Sequence, residues 1–577
     1  MNRLFKRKWM VALFVALITS LALATFTACK IFDTPKFHVT PETTEIPYGE
    51  GVKFTYHATK LSDDGVGGYS EEDAEEAYKA IKCVQGYQIT YTEGEEAFTV
   101  QLSTEGEVEL SFTWNGMTSN TVVINVKREV KYITTADELL QASNPACRYV
   151  LQNDIDLSSH TSHAPIEFQG ALDGNGYSIQ NFTYMPQNLA TDKAMGFFSV
   201  NHGTIENVTF ANAFVGIYSQ AASAGIVVGL NNGTVRNVTV SGELEAEQTN
   251  KVGAVVGNNA GTIEDCINRA TVLGKDLTGG IAGESVSAVS GSKNEGNVEG
   301  QSKVGGIVGA VTKSSTVYGS ENSGSVEGTT NVGGIVGFTD PSVAVNVNSS
   351  ANVGDVNGKS NVGGIIGAGD SVDLFACENG GLVHGNSQYV GGIGGFIRSA
   401  RRCQNNGAVS AEGNDIAATD GYYNVYVGGI AGHSKRVEEC KNVQRIELFA
   451  ESGAYVGGIT GYLEGDNTTD AMNGNVNEGN ILAPSTSAYV GGIAGNMKNS
   501  TLRGAQNSGN VAGGLYTAGI CGYAQSGAIY FSGNTGVISG TQTAQIAIIA
   551  QNGNGDDLAA TFGNEKNGSV SARGDLE

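Results

Sequence analysis

From residue 195 onward the apolar residues follow neither a helical spacing nor a long alternation; they come in short blocks set between glycines. The recurring block is V-G-G-I-x-G, strict or degenerate. It begins at Met195, Ala224, Val252, Thr278, Val304, Val332, Val362, Val390, Val427, Val456, Val490, Thr517 and Gln545, in steps of 29, 28, 26, 26, 28, 30, 28, 37, 29, 34, 27 and 28. Periods of this size belong to arrays of stacked units. Each unit holds two or three strand-length pieces and no helical periodicity, which excludes helical and leucine-rich repeats, and a propeller blade would need four strands. The pattern predicts a right-handed parallel β-helix of about 13 coils.

In such a fold each strand pairs with its equivalent one coil away, so equivalent positions form columns. A second motif, N-x-G-x-V, falls between the hexapeptides, as at Asn294–Val298, Asn322–Val326, Asn405–Val409 and Asn507–Val511. Its Asn column is expected to hydrogen-bond side chain to side chain, and its Gly to supply a positive-φ bend. Two positions before the Asn lie Cys266, Ser292, Ser320, Ser350, Cys377, Cys403, Cys440, Ala505 and Ser532. That column takes small residues, so its cysteines are expected inward and free. Cys377 and Cys403 occupy neighbouring coils and could in principle form a disulfide, although the Ser and Ala at the same position weigh against a bond.

The preceding region obeys different rules. Val52–Tyr56, Gln88–Thr92, Phe98–Leu102, Val108–Phe112 and Val122–Val126 alternate with period two, and Ser70–Cys83 reads as one short helix. On pattern this resembles the immunoglobulin-like modules of bacterial surface proteins, which implies a β-sandwich spacer. Thr135 followed by Glu138 is a capping box opening a short helix, a cap for the array. Tyr149–Leu157 reads as a strand, and Asn175-Gly176 as a tight turn. The chain therefore divides into 1–29, 30–128 (immunoglobulin-like β-sandwich), 129–194 (cap and first strands) and 195–577 (β-helix).

Residues 1–29 are an export signal: Arg3, Lys6, Arg7 and Lys8, then an apolar run from Trp9 to Phe26, then Thr27-Ala28-Cys29. The end of the run resembles the lipobox of bacterial lipoproteins, with Phe26 where an aliphatic residue is usual. That resemblance implies a diacylated Cys29, and a protein held on a bacterial membrane or outer surface. Composition agrees with the array: 82 glycines imply turns at short intervals, and 16% charged residues exclude a charged disordered chain. Loss of the four basic residues of the signal takes the formal charge from −24 to −28. Such a surface disfavours nucleic acid and anionic membranes, leaving the lipid as the membrane attachment. The seven remaining cysteines form no CxxC and are spaced too widely for a zinc site.

The hexapeptides and the Asp173-Gly-Asn-Gly segment resemble the GLUG repeat of β-helical regions in bacterial surface proteins, including the stalk of immunoglobulin A metallopeptidases. The resemblance covers residues from about 130 to 577 and implies the β-helix. It does not bring peptidase activity, because no His here is followed by Glu and the H-E-x-x-H helix is absent.

Two columns carry candidate chemistry. Eight residues after each hexapeptide start stand Thr312, Asp340, Asp370, Arg398, Lys435, Glu464 and Lys498. Asp340 beside Asp370, with Arg398 and Arg401 on the next coil, would give the paired carboxylates that glycoside hydrolysis requires; pectin-cleaving enzymes of similar architecture are built this way. The bland alternative is a solvated charge ladder. Just before the hexapeptide stand Tyr389, Tyr426, Tyr455, Tyr489 and Tyr516, which alternation turns outward as a stacking ladder or a platform for sugars. Weaker signals are Arg573-Gly574-Asp575 and the acids at Asp556-Asp557 and Asp173; no P-loop, G-x-S-x-G or metal cluster appears. The expectation is a surface lipoprotein acting as an adhesin or glycan-binding β-helix, without cofactor or metal and without catalysis. Its partner would be a polysaccharide or a cell-surface ligand. A polysaccharide lyase or glycoside hydrolase using Asp340, Asp370 and Arg398 is the alternative, and a structural stalk the third reading.

Overall fold

A computed structural model describes residues 36–63, 69–73, 80–91, 95–161, 164–186, 191–413, 425–449, 453–465, 470–484, 488–514, 516–540, 545–547 and 565–566. The chain divides into two compact units, residues 1–130 with 145–147, and 131–144 with 148–577. Among the described residues no helix is long and apolar enough to cross a membrane.

The described residues of the first unit form mainly β-strands. Strands Phe37–Pro41, Gly51–Asp63, Ala97–Gln101 and Ile89–Tyr91 pair in that order. A second sheet joins Glu45–Pro47, Val122–Lys127 and Gly106–Leu110, and a third joins Met117–Thr118, Phe112–Trp114 and Lys82–Cys83. Period-two burial, as in Val122, Ile124 and Val126, feeds one core. There Phe98 lies 5.4 Å from Phe54 and 4.8 Å from Phe112, ring to ring. Asn115 and Gly116, both at positive φ, make the tight turn between Phe112–Trp114 and Met117–Thr118. The helix expected over Ser70–Cys83 is not formed at either end. Tyr69–Asp73 is a strand paired antiparallel with Thr59–Asp63, and Lys82–Cys83 pairs with Thr113 and Phe112. The open edge of the long Gly51–Asp63 strand offers backbone partners, and this tertiary pairing overrides the helix preference of Glu71, Glu72 and Asp73. Residues 74–79 lie outside the described residues.

The second unit opens with the helix Ala136–Leu140 and its capping box: the Glu138 N–H donates to Thr135 Oγ1, and the Thr135 N–H to Glu138 Oε2. A parallel β-solenoid of about 13 turns follows. Two buried columns define it. One passes in register from Leu172 through Ile205, Val235, Ile263 and Val289 to Leu502 and Ile529. The other holds the first residue of each hexapeptide, from Ala224 and Val252 to Val490 and Thr517. The last motif start shifts by one residue, because Thr517 pairs with Ile546 and Tyr516 with Gln545.

The Asn column is a continuous ladder. From Asn268 through Asn294, Asn322, Asn352, Asn379, Asn405, Asn442, Asn477 and Asn507 to Asn534, each Nδ2 donates to the next Oδ1 at 2.7–2.8 Å. The same Nδ2 donates to the carbonyl two residues on, as Asn379 does to Gly381 at 2.9 Å, so these buried amides are satisfied. The first coils carry a second ladder that the motif did not disclose, Asn201 to Asn231 to Asn259 to Ser285.

Glycine of the N-x-G-x-V motif serves a different purpose from the one expected. It does not take positive φ; a Cβ on Gly324 or Gly381 would fall 1.9 Å from the carbonyl oxygen of Gly296 or Gly354 on the neighbouring coil. The left-handed residue instead precedes the Cys/Ser column, at Asp265, Gly291, Gly319, Ser349, Ala376, Arg402 and Glu439. Its N–H points along the stack, as from Ala376 to Arg401 O and from Arg402 to Glu438 O. The stack holds even non-glycine residues there. Cys266, Cys377, Cys403 and Cys440 are buried and free. Their column supplies acceptors: the Cys403 N–H points to Cys440 Sγ at 3.3 Å, as that of Cys266 does to Ser292 Oγ at 3.2 Å.

Candidate functional site

The tyrosine column forms because each ring sits between two inward neighbours. Val425 and Val427 are buried, so Tyr426 between them faces away from the core. Tyr389, Tyr426, Tyr455, Tyr489 and Tyr516 pair directly from coil to coil. Their centroids are 5.0, 5.3, 5.0 and 5.1 Å apart, with interplanar angles of 15–27°. The inner rings thus spend both faces on each other. A second aromatic rank, seven residues on, covers the flank: Tyr389 meets Phe396 at 5.3 Å and Tyr489 meets Tyr523 at 5.2 Å. Burial raises the phenol pKa of Tyr389, Tyr455 and Tyr489. A sugar platform needs a free ring face, so this column offers half-buried edges and hydroxyls instead.

His433 belongs to the second rank and was not anticipated. It stacks on Phe396 at 4.8 Å and on Tyr462 at 5.1 Å, is 6% exposed, and its Nδ1 has no hydrogen-bond partner among the described residues. Burial holds its pKa down to about 4, although Glu464 Oε2 at 3.7 Å from Nε2 acts in the opposite direction.

The charged column lies at the corner after each hexapeptide, and its members pair in an order the spacing did not reveal. Lys435 Nζ meets Asp370 at 2.6 Å, Lys498 Nζ meets Glu464 at 2.9 Å, and Arg398 reaches Asp373 rather than Asp370. Asp340 is engaged within its own turn, where the Ser342 hydroxyl and N–H both donate to its Oδ1. Those bonds hold its carboxyl below the ordinary range, the hydroxyl contributing most. A general acid needs the opposite shift. Asp340 and Asp370 thus have separate partners and share none.

Beside this corner two clefts open, of about 420 and 650 Å³, both touching Asp373, Ser399 and Arg436. The first is also lined by Asn346, Asn348, Phe375 and Arg401, the second by Arg398, Lys435 and Glu464. Their floor is built by register. Asn346, Asp373, Ser399 and Arg436 form one column and Asn348, Phe375, Arg401 and Glu438 the next, on either side of buried Val347, Leu374, Ala400 and Val437. Residue type changes from coil to coil here, so no motif marks the site; only the coil offsets reveal it. Arg401 lies 4.9 Å over the Phe375 ring, and Arg436 meets Glu438 at 2.6 Å.

Asp173 is structural, bound by Arg148 at 2.9 Å and by Asn207 Nδ2 at 3.1 Å. Cys29, Asp556-Asp557 and Arg573-Gly574-Asp575 lie outside the described residues. Among the described residues no three His, Cys, Asp or Glu side chains are arranged to hold a metal ion.

No family model matches the chain. A segment of 170 residues is 32% identical to Halomucin of Haloquadratum walsbyi, covering 26% of this chain and 2% of that protein. A solved structure of a candidate immunoglobulin A1 protease from Bacteroides ovatus is similar over 47% of this chain and 73% of its own, at 19% identity and a TM-score of 0.27.

Proposed function

We propose that this chain is an exported, lipid-anchored surface protein of the GLUG-repeat type, whose β-solenoid binds an extended glycan as an adhesin does. Residues 30–128 serve as an immunoglobulin-like spacer and Cys29 as the lipid attachment, which together hold the solenoid away from the membrane. The observation that carries the binding reading is the pair of clefts at Asp373, Ser399 and Arg436, where amides, hydroxyls and guanidinium groups converge on one flank. Such a concave, polar-lined strip suits a polyhydroxylated chain better than a protein surface of apolar core and polar rim. The lowered pKa of Asp340, which keeps its carboxyl ionised, and the separate partners of the two acids favour binding over cleavage.

A glycan array probed with residues 30–577 tests this. Binding that is lost in Ser399→Trp, which fills the junction of the two clefts, is the expected result. No binding to any glycan would return the solenoid to a structural stalk. Release of reducing ends or unsaturated sugars that Asp340→Asn abolishes would make the protein an enzyme instead.

A further inference from the structure

We propose that the cleft floor over the coils beginning at Val332, Val362, Val390 and Val427 binds an anionic saccharide, with the chain lying along the solenoid axis and Arg401 seating its carboxylate or sulfate. This rests on the glycan-binding reading above and adds the ligand class, its direction and its anchor.

Direction follows from the register. Asn346, Asp373, Ser399 and Arg436 form one row and Asn348, Phe375, Arg401 and Glu438 the other, so polar side chains repeat once per coil in two parallel lines. Coils are spaced ~4.8 Å apart, close to the length of one pyranose ring, so a saccharide along the axis meets one pair of side chains per sugar. A chain lying across the axis would leave the floor after two side chains.

Charge sets the ligand class. The protein has 34 basic against 58 acidic residues, yet Arg398, Arg401, Lys435 and Arg436 gather on two consecutive coils at these clefts. Three have carboxylate partners: Arg398 has Asp373, Lys435 has Asp370 and Arg436 has Glu438. Arg401 forms no ion pair among the described residues, although its charge reaches Glu439, which is itself paired with Arg402; its guanidinium lies 4.9 Å over the Phe375 ring. A guanidinium laid on an aromatic face has one broad side satisfied by the ring, while its N–H groups point outward in the plane where a carboxylate or sulfate is met bidentately. Asn346 and Asn348, as donors and acceptors, and Ser399, whose hydroxyl donates to Asp373 and so can only accept, serve the sugar hydroxyls on the adjoining coils.

The test is calorimetric titration of residues 30–577 with hexagalacturonate, its fully methyl-esterified form and a heparin hexasaccharide. We expect an acidic probe to bind, the ester to bind more weakly, and added salt to weaken the acidic probe most. The tighter of the two acidic probes identifies the group seated. Arg401→Gln should weaken the acidic probe about tenfold, as for one charge-assisted pair, with Arg401→Lys in between, the ester unaffected and the melting temperature unchanged. Equal binding of acid and ester, or no change in Arg401→Gln, overturns the anionic assignment and leaves the glycan reading standing. Failure of all three probes together with a blank glycan array removes both.

Discussion

Gly334 and Asn352 face each other across the width of one coil with no room for a side chain on the glycine. A Cβ there would lie 2.4 Å from Asn352 Cγ and 2.1 Å from the Gly364 carbonyl oxygen. The same contact recurs between Gly306 and Asn322, Gly364 and Asn379, and Gly458 and Asn477. The hexapeptide and the Asn motif are therefore the two sides of one contact: the second glycine leaves the space in which the Asn ladder runs. That is why the two motifs alternate along the chain.

Gly334→Ala should accordingly be destabilising by ~1–3 kcal/mol, as for overpacking of a close-packed interior, because backbone and ladder stand on both sides of the added methyl. Gly380→Ala is the control. Its Cβ would meet nothing nearer than 3.5 Å, and its φ is not in the left-handed region, so it should melt like the parent protein. Equal melting temperatures for the two variants would refute the contact.

Asn379→Ala removes two rungs at once, the bond received from Asn352 at 2.7 Å and that given to Asn405 at 2.8 Å. It also strips the Gly381 carbonyl of its donor. Leaving such buried groups unpaired costs ~1–3 kcal/mol each, so a clear drop in denaturation midpoint is expected. Asn379→Asp should be worse, since an acceptor replaces a donor opposite two oxygens. Chemical denaturation of the three proteins checks the order.

The architecture was legible because a solenoid repeats its contacts: Val304, Val332 and Val362 meet the same neighbours one coil apart, so period and buried column are written directly in the chain. The Asn ladder was legible for the same reason. Geometry that depends on the third dimension was not. The role of Gly324 lies in a carbonyl 28 residues away, and the bend at Ala376 is held by the coil above it, so neither has a local signal. The clefts were hidden because their outward positions, Asn346, Asp373, Ser399 and Arg436, share no residue type. The tyrosine column showed the reverse: it was seen, but the spending of its faces on stacking appears only with the second rank, Phe396, His433, Tyr462 and Tyr523.

His433 makes the stability pH-dependent. Folded, its pKa is about 4 through burial; unfolded, it returns to ~6.5. Between those values the unfolded chain takes up a proton that the folded chain refuses. Its contribution is therefore complete above about pH 6.5 and is lost as the pH falls toward 4, by at most ~3 kcal/mol. His433→Phe, which continues the ring of Phe396, should flatten the melting temperature over that interval. A parent and variant with the same pH profile would exclude His433 as the cause.

Cys29→Ser should release the protein from the membrane fraction if the lipid is its attachment. The parent, labelled with a fatty-acid analogue and digested, should yield a modified peptide beginning at Cys29. A variant that remains membrane-bound would show that the apolar run Trp9–Phe26 itself is the anchor.

Deleting Val304–Asn331 removes one whole coil and joins Lys303 to Val332. Every column survives the cut: Thr278, which faced Val304, now faces Val332, and Asn294, which bonded Asn322, now meets Asn352. The junction is conformationally matched as well, because Lys303 and Asn331 have nearly the same positive φ, 59° and 56°. Since each coil contacts mainly its neighbours, the product should fold, melt cooperatively and be shorter along its axis by ~4.8 Å in solution scattering. Deleting Val304–Val317, about half a coil, is the paired experiment. It leaves the second column paired with the wrong partners and the Asn ladder interrupted, so it should yield unfolded or aggregated protein. If both deletions behave alike, the stability does not reside in column-by-column pairing.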